Sequence, residues 1–370
     1  MLRRIDQALL VNRLLVSSVD PYAVAEKQKR AYMLNFLEIV TGISSDLLMR
    51  SGTEEHHAFA QKASEQSIVL LKNEGNILPL KNGAKVAVIG EFAKVARYQG
   101  AGSSAVNCTK LDHTLDVIGN FPLDVVGFEP GYPRHGAPDA EMMKKAAELA
   151  KQADYVLLYL GLDEISESEG LDRSTMALPQ CQIETLRTVS EANPQVIIVM
   201  SAGSSVEMPW LDRCKALVHA YLCGQAGASA VLKVILGEVN PSGKLSESYP
   251  MRYEDCSTAA YFQARQRSVE YREGLYVGYR YYETAKVPVL FPFGFGLSYT
   301  TFEYSNLKAT DKAATFTLTN TGDWDGAEVA QLYVHAKALT VYRPAKGSSK
   351  MKKISLSTLM GESEKLFFLH

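Results

Sequence analysis

Short, continuous apolar runs alternate with amphipathic helical segments between residues 85 and 236. Such runs lack the polar alternation of a half-exposed strand, so they predict strands that are buried on both faces. The apolar runs are 85–90, 155–160, 195–200 and 216–222, and the helical segments are 140–153, 181–192 and 226–236. This order predicts an α/β fold, with a parallel-rich sheet sandwiched by helices.

The two ends of the chain have different patterns. Residues 1–60 are predicted to be helical and without strands, and a further helix is expected from Ala60 to Leu71. From about residue 302 the apolar period changes to two, in 314–320 and 329–334, which predicts a small antiparallel β-sandwich. The last segment is again strand-like, so closing strands of the sandwich are expected to be missing or supplied elsewhere.

Composition excludes several classes of protein. The 370 residues carry a formal net charge of −2 and no basic stripe, which argues against nucleic acid as a partner. No apolar run reaches the length of a membrane span, so no membrane partner is expected. Polar residues interrupt the apolar core that a signal peptide would need near the N-terminus, so a cytoplasmic location is expected. The five cysteines lack metal-ligand spacing and are expected to be reduced thiols, with no metal site and no cofactor.

An acidic run, 167–173, follows the predicted strand 155–160. Open α/β sheets place ligand chemistry at the carboxyl ends of their strands. Glu169 is flanked by Ser168 and Gly170 and lies near Arg173, which suits a general acid. The sequence offers no convincing second carboxylate as its partner.

Several motifs occur together and in a fixed order over roughly residues 60–345. They are QSIVLLKNE (66–74), LPL (78–80), VAVIG (86–90), YQGAGSS (98–104), ESEGLDR (167–173), LP (178–179), AGS (202–204), EMPW (207–210), GEVNPSGKL (237–245), FPFGFGLSY (291–299) and EVAQLYV (328–334). Each motif is weak alone, but the ordered set resembles the C-terminal half of family 3 glycoside hydrolases, the β-glucosidase-like enzymes. The resemblance implies an α/β sandwich domain followed by a fibronectin-III-like β-domain.

The resemblance also implies a domain division. Residues 1–60 are expected to be a helical remnant or linker from a barrel domain, and 61–250 the α/β domain with the acid/base loop. Residues 251–301 are expected to form an aromatic-rich connector, and 302–370 an incomplete fibronectin-III-like sandwich. Enzymes of this family usually carry their Asp nucleophile in a Ser-Asp-Trp or similar motif on an N-terminal (β/α)8 barrel. Because Ser45-Asp46 is followed by Leu47, that nucleophile is expected to be missing from this chain.

The family pattern assigns roles to a few residues. The acid/base carries over to Glu169, with Glu167 and Glu164 as local rivals. A general acid needs a raised pKa, which partial burial in a closed site could give. The loop 98–104 is expected to border the sugar pocket, so Gln99 or Ser103 is a candidate to bind a hydroxyl. Asp172 and Arg173 are expected to pair with each other or to order the loop.

Two functions from different classes are therefore left open. The first is a retaining, β-glucosidase-type hydrolase acting on a β-linked glucoside or oligosaccharide, weak or inactive alone and completed by a separate barrel-domain polypeptide. The alternative is a non-catalytic carbohydrate-binding or assembly module of a split or truncated enzyme. A variant Glu169→Gln separates them, because only the first depends on that carboxyl. The sugar preference is not expected to be encoded here, since the barrel builds much of the sugar pocket.

Overall fold

The computed structural model describes residues 52–262, 268–310, 313–335, 341–356 and 363–369. The chain divides into two compact units, Met1–Ala58 and Phe59–His370, and the account below concerns the second unit and the helix that enters it. The helix predicted within residues 1–51, the barrel-remnant assignment there and the Ser45-Asp46 pair lie outside the described residues. No helix within the described ranges is long and apolar enough to cross a lipid bilayer.

The second unit is built around a six-stranded sheet with the order β1-β6-β5-β4-β2-β3. Its strands are β1 (Val69–Asn73), β2 (Ala84–Ile89), β3 (Leu123–Glu129), β4 (Tyr155–Gly161), β5 (Val196–Ser201) and β6 (Ala216–His219). All neighbouring strands are parallel except β1, which pairs antiparallel with β6. The predicted parallel-rich α/β fold is confirmed.

Helices cover the sheet. The α-helices are α1 (Thr53–Ser67), α2 (Glu91–Lys94), α3 (Thr114–Val117), α4 (Ala140–Ala150), α5 (Gln180–Ala192), α6 (Gly227–Ile235) and α7 (Tyr279–Ala285). Successive strand residues point to opposite faces, so Leu158 belongs to one apolar core with α4 and α5, whereas Leu157 belongs to the other with α6. Burial on both faces explains why these strands are continuously apolar.

Two strands of the sheet differ from the sequence prediction. The helix expected from Ala60 to Leu71 ends at Ser67, and β1 begins two residues later. Val69 and Leu70 pair with His219 and Val218, so a distant strand decides the conformation of this apolar run. Strand β3 was not predicted, because Asp124 and Gly127 interrupt its apolar pattern at an edge that is only partly buried.

The C-terminal part forms two small antiparallel sheets. They contain β9 (Phe302–Ala309), β10 (Ala313–Asn320) and β13 (Ser363–Leu369) in one sheet, and β11 (Gly326–Val334) and β12 (Gly347–Leu356) in the other; β7 (Tyr249–Pro250) and β8 (Val289–Phe291) pair in the connector. Alternate residues of β10 are buried, as the period of two predicted, and Phe316 and Leu318 pack with Ile354. The small β-domain is confirmed, while the boundaries at 250 and 301 stay predictions.

A buried ion pair joins this β-domain to the α/β part. The ammonium of Lys244 lies 3.0 Å from a carboxylate oxygen of Glu328 and donates to the carbonyl of Gly296 at 2.7 Å. Both side chains are mostly buried, with 12% and 15% of the surface exposed. Removing one partner would leave the other charge buried and uncompensated, so we expect such a change to weaken the contact of β11 with the α/β part.

Gly90 directly follows β2, where the chain turns tightly from the sheet into the next loop. Its φ is +115°, and a Cβ there would lie 2.3 Å from the carbonyl oxygen of Tyr159. We expect Gly90→Ala to lower the free energy of unfolding by about 2 kcal/mol or more. Urea denaturation checks this, with Gly119→Ala as the control because a Cβ at Gly119 meets no atom within 4 Å. Equal stability of the two variants would contradict the prediction.

Candidate active site

Three loops meet at the carboxyl edge of the parallel strands. They are the loop 95–106 that follows β2 and α2, the acidic loop 162–173 after β4, and the segment 202–206 after β5. Because β2, β4 and β5 are neighbours in the sheet, their following loops are brought together in space although they are far apart in sequence. The residues predicted as a site, Ser103, Glu169 and Arg173, lie on the first two of these loops.

Glu169 binds directly to the loop that carries Ser103. The backbone N–H of Ser103 donates to a carboxylate oxygen of Glu169 at 2.7 Å, and the N–H of Glu169 donates to the carbonyl of Ala101 at 3.3 Å. Gly102, between them, has a φ of +85°, and a Cβ there would lie 2.7 Å from the Glu169 Cβ. The glycine therefore allows the two loops to approach closely enough for these hydrogen bonds.

The surroundings of Glu169 in the described chain favour its ionised form. Hydrogen bonds from the Ser103 hydroxyl and the Ser103 backbone N–H hold its pKa below the ordinary glutamate value. The residue is exposed rather than partly buried, so desolvation is too small to offset these bonds. The open site of the described chain therefore does not supply the raised pKa of a general acid, and Glu169 is an ionised carboxylate at neutral pH.

An open cavity of about 450 Å³ lies beside this contact. Its walls come from both loops and include Ser103, Glu167, Glu169 and Arg173. A volume of this size falls in the range of small-molecule sites. Gln99 does not line it: its side-chain carbonyl accepts from the Val106 N–H at 2.8 Å, so the Gln99 amide closes its own loop.

Glu167, the nearest rival of Glu169, is bound to the third loop. Its two carboxylate oxygens accept hydrogen bonds from the Gly203 N–H at 2.9 Å and from the Ser204 hydroxyl at 2.7 Å. These bonds tie the acidic loop to the segment after β5. Glu167 therefore braces the loop, and Glu169 is the carboxylate that the loops 95–106 and 162–173 share.

Arg173 and Asp172 are not paired with each other. One guanidinium nitrogen of Arg173 donates to the Ser204 hydroxyl at 2.9 Å and to the Ser205 carbonyl at 3.0 Å. Asp172 is exposed, and no ion pair joins it to Arg173 in this described loop. The expected pairing is wrong because Arg173 turns toward the loop after β5, where it is partly desolvated. Its role in ordering the loop stays a prediction.

Three charged residues of this site were not predicted. Arg97 is 4% exposed and donates to two carbonyl groups of the acidic loop and to the carbonyl of Gln99 in the loop 95–106. Asp163 accepts from the Ser166 N–H at 2.7 Å and contacts His135 at 2.7 Å. Glu247 is held beside Ser205, and burial raises its pKa. Only Asp163 had a signal in the sequence, because an aspartate just beyond the end of a strand commonly accepts hydrogen bonds from the backbone of the next turn.

The described residues contain no group of three or more His, Cys, Asp or Glu side chains placed to hold a metal ion. The arrangement can act chemically through one carboxylate, its serine partner and a nearby guanidinium. Such a set can transfer a proton to or from a bound molecule in the cavity.

Comparison with known proteins agrees with this fold. The model of the glycosyl hydrolase family 3 C-terminal domain matches residues 68–299. The chain therefore belongs to glycosyl hydrolase family 3.

The relatives are longer than this chain. Thermostable beta-glucosidase B of Acetivibrio thermocellus is 39% identical over 326 residues, which cover 85% of this chain and 43% of the relative. Exo-alpha-(1->6)-L-arabinopyranosidase of Bifidobacterium longum is 41% identical over 311 residues, covering 80% of this chain and 41% of the relative. The crystal structure of the GH3 beta-glucosidase of Bifidobacterium adolescentis aligns with a TM-score of 0.82 and 37% identity, over 97% of this chain and 54% of that one. The chain thus spans less than half the length of these two curated relatives.

The pKa of Asp163 predicts that the acidic loop loses stability in acid. Burial raises its pKa, but hydrogen bonds from Ser166 and the contact with His135 outweigh burial, and the net pKa is below the ordinary aspartate value of 3.8. A lowered folded-state pKa stabilises the fold above the unfolded pKa, and this stabilisation is lost as the pH falls through the folded pKa.

We expect the wild-type chain to lose more stability than Asp163→Asn between about pH 5 and pH 2.5. Denaturant titrations at both pH values measure the difference. Asp124→Asn, at an exposed position, is the matched control and should keep the wild-type dependence. A parallel loss of stability in all three proteins would contradict the assignment.

Proposed function

We propose that this chain carries the acid/base part of a retaining, β-glucosidase-type active site, with Glu169 as the acid/base. One observation carries the proposal: Glu169 and Ser103 are joined across two loops beside an open cavity, at the carboxyl edge of a family 3 C-terminal domain. The names of the relatives support a glycosidase, and among them β-glucosidases are frequent. The proposed substrate is a β-linked glucoside or oligosaccharide.

The proposed mechanism gives Glu169 two tasks. In the first step it protonates the glycosidic oxygen of the leaving group, and in the second it removes a proton from the attacking water. The first task needs a protonated carboxyl, whereas the exposed Glu169 is ionised. A bound sugar and a covering protein surface would exclude water from the cavity and raise the pKa of Glu169 by desolvation. Ser103 would then exchange its contact with Glu169 for a contact with a sugar hydroxyl.

A retaining mechanism also needs a nucleophilic carboxylate about 5–5.5 Å from the acid/base. Glu167 is the other carboxylate of the cavity, and both its oxygens already accept hydrogen bonds from the loop after β5. We therefore assign the nucleophile to protein outside these 370 residues, in a barrel domain or a separate barrel polypeptide. The 370 residues alone would be weak or inactive.

The second candidate function is a non-catalytic carbohydrate-binding or assembly module. It is favoured by the lowered pKa of Glu169, which leaves the described chain without a proton donor at this position at neutral pH. This candidate needs a cavity and a docking surface but not the Glu169 carboxyl.

The purified chain should hydrolyse 4-nitrophenyl β-glucoside at least about 1000-fold more slowly than the 1 per second at the low end of typical enzymes. The reason is that a concerted pair of carboxylates loses most of its effect when one member is absent. Release of 4-nitrophenol measures the rate. Turnover at ordinary enzymatic rates that disappears in Glu169→Gln would show that the chain contains a nucleophile.

A chimera tests the role of Glu169 directly. The matched segment of thermostable beta-glucosidase B is replaced by the corresponding segment of this chain, so that the relative supplies the remaining protein. In this chimera Glu169→Gln should lower kcat/KM for cellobiose by about 100- to 10,000-fold, because the leaving sugar needs a proton. The loss should be much smaller with 2,4-dinitrophenyl β-glucoside, whose leaving group needs none.

Glu164→Gln is the matched control for this experiment. Glu164 lies on the same loop, five residues before Glu169, and pairs with Arg134. We expect it to keep most of the activity on both substrates. Equal losses of activity in the two variants would reject Glu169 as acid/base. A chimera that binds glucose and whose activity neither substitution changes would favour the non-catalytic module.

A further inference from the structure

Arg97 lies where the loop of Ser103 meets the acidic loop. It is 4% exposed. Arg134, on the segment after β3, has 19% of its side chain exposed and joins the Val95 carbonyl to the Glu164 side chain, at positions farther in sequence from Ser103 and Glu169. A guanidinium removed from water must be satisfied by hydrogen bonds, since burial of an unpaired charge is costly. The contacts of Arg97 therefore reveal which parts of the structure it holds.

Three carbonyl groups surround the Arg97 guanidinium. Its Nε donates to the carbonyl of Leu162 at 3.1 Å, and Nη2 donates to the carbonyl of Glu167 at 3.0 Å. Its Nη1 donates to the carbonyl of Gln99. Leu162 begins the acidic loop, Glu167 stands two residues before Glu169, and Gln99 stands four residues before Ser103.

One side chain thus binds three backbone positions: Leu162 at the start of the acidic loop, Glu167 close to Glu169, and Gln99 in the loop of Ser103. Arginine suits this task because its planar fork can donate in several fixed directions, whereas a lysine ammonium is a single point of charge. The contact between Ser103 and Glu169 crosses the same junction at 2.7 Å. Its geometry therefore depends on the spacing that the guanidinium sets.

We propose that Arg97 is a positioning residue for Glu169, holding the loop of Ser103 at the distance that aligns the carboxyl with the cavity. Its meaning for catalysis depends on the function proposed above, but the positioning itself does not. Arg97 does not line the cavity, so it acts through Ser103 and Glu169 and not by touching a substrate.

The test is the pKa of Glu169, measured by carboxyl ¹³C NMR in the purified chain. In the wild type it should lie below the ordinary value of 4.5. Arg97→Lys keeps the positive charge but not the fork, and Arg97→Gln removes both. If position matters, the pKa should rise toward 4.5 by a similar amount in both variants. Arg187→Gln, which removes an arginine that pairs with Glu184 and Glu191 on α5, should leave it unchanged.

A rise in Arg97→Gln alone would mean that only the charge of Arg97 acts on Glu169, and would overturn the proposal. No rise in either variant would overturn it as well. Ser103→Ala supplies a further check: because Arg97 acts through this contact, Arg97→Lys should shift the pKa less in the Ser103→Ala background than in the wild type.

A second measurement keeps the proposal testable if the Arg97 variants do not fold. In the wild-type chain, hydrogen exchange of the Ser103 amide and of the Arg97 Nε–H should share one opening free energy, because the two contacts would break together. A Ser103 amide that exchanges freely while the Arg97 Nε–H stays protected would reject the link.

The chimera separates this proposal from the proposed function. If Glu169 is the acid/base, Arg97→Lys should lower kcat/KM for cellobiose more than for 2,4-dinitrophenyl β-glucoside. If Glu169→Gln has no effect on activity while Arg97→Lys still shifts the Glu169 pKa, the proposed function fails and the positioning role of Arg97 stands.

Discussion

The parallel pairing of β2, β4 and β5 is the constraint on which the rest of the structure depends. Parallel strands end at the same edge, so the segments that follow them must meet there. Burial of both faces leaves this edge and the opposite one as the places where polar side chains gather without cost. The acidic loop, the serine loop and the segment after β5 therefore share one location, and their side chains bond mainly to one another.

Bonding between loops also sets the charge of the site. Glu169 receives two hydrogen bonds from Ser103 and little desolvation, so the ionised form is favoured. Glu247 is partly exposed, and desolvation raises its pKa despite its bond to Ser205. The two carboxyls thus have opposite pKa shifts, because Glu247 is more desolvated than Glu169. The charge of Glu169 therefore depends on whether another protein surface covers the cavity and excludes water from it.

The sequence predicted those parts of the molecule that local pattern determines. Continuous apolar runs located β2, β4, β5 and β6, and the alternation within 314–320 located β10. The acidic run was correctly placed after a strand end. Strand β1 was missed because its residues suit a helix and adopt a strand only by pairing with β6. The role of Arg97 was missed because its partners are backbone carbonyl groups, which leave no pattern in the sequence. The pKa of Glu169 depends on exposure, which is a property of the assembled loops.

The antiparallel edge strand has a consequence for how the chain folds. Val69 pairs with His219, 150 positions later (219 − 69), so β1 can be incorporated only after the whole parallel sheet has been synthesised. The entropy of closing so long a loop must be overcome before this contact contributes any stability. Of the six strands of this sheet, the apolar β1 would therefore leave the ribosome first and remain unpaired longest. Until β6 appears, the unpaired β1 would be accessible to chaperones and prone to aggregation.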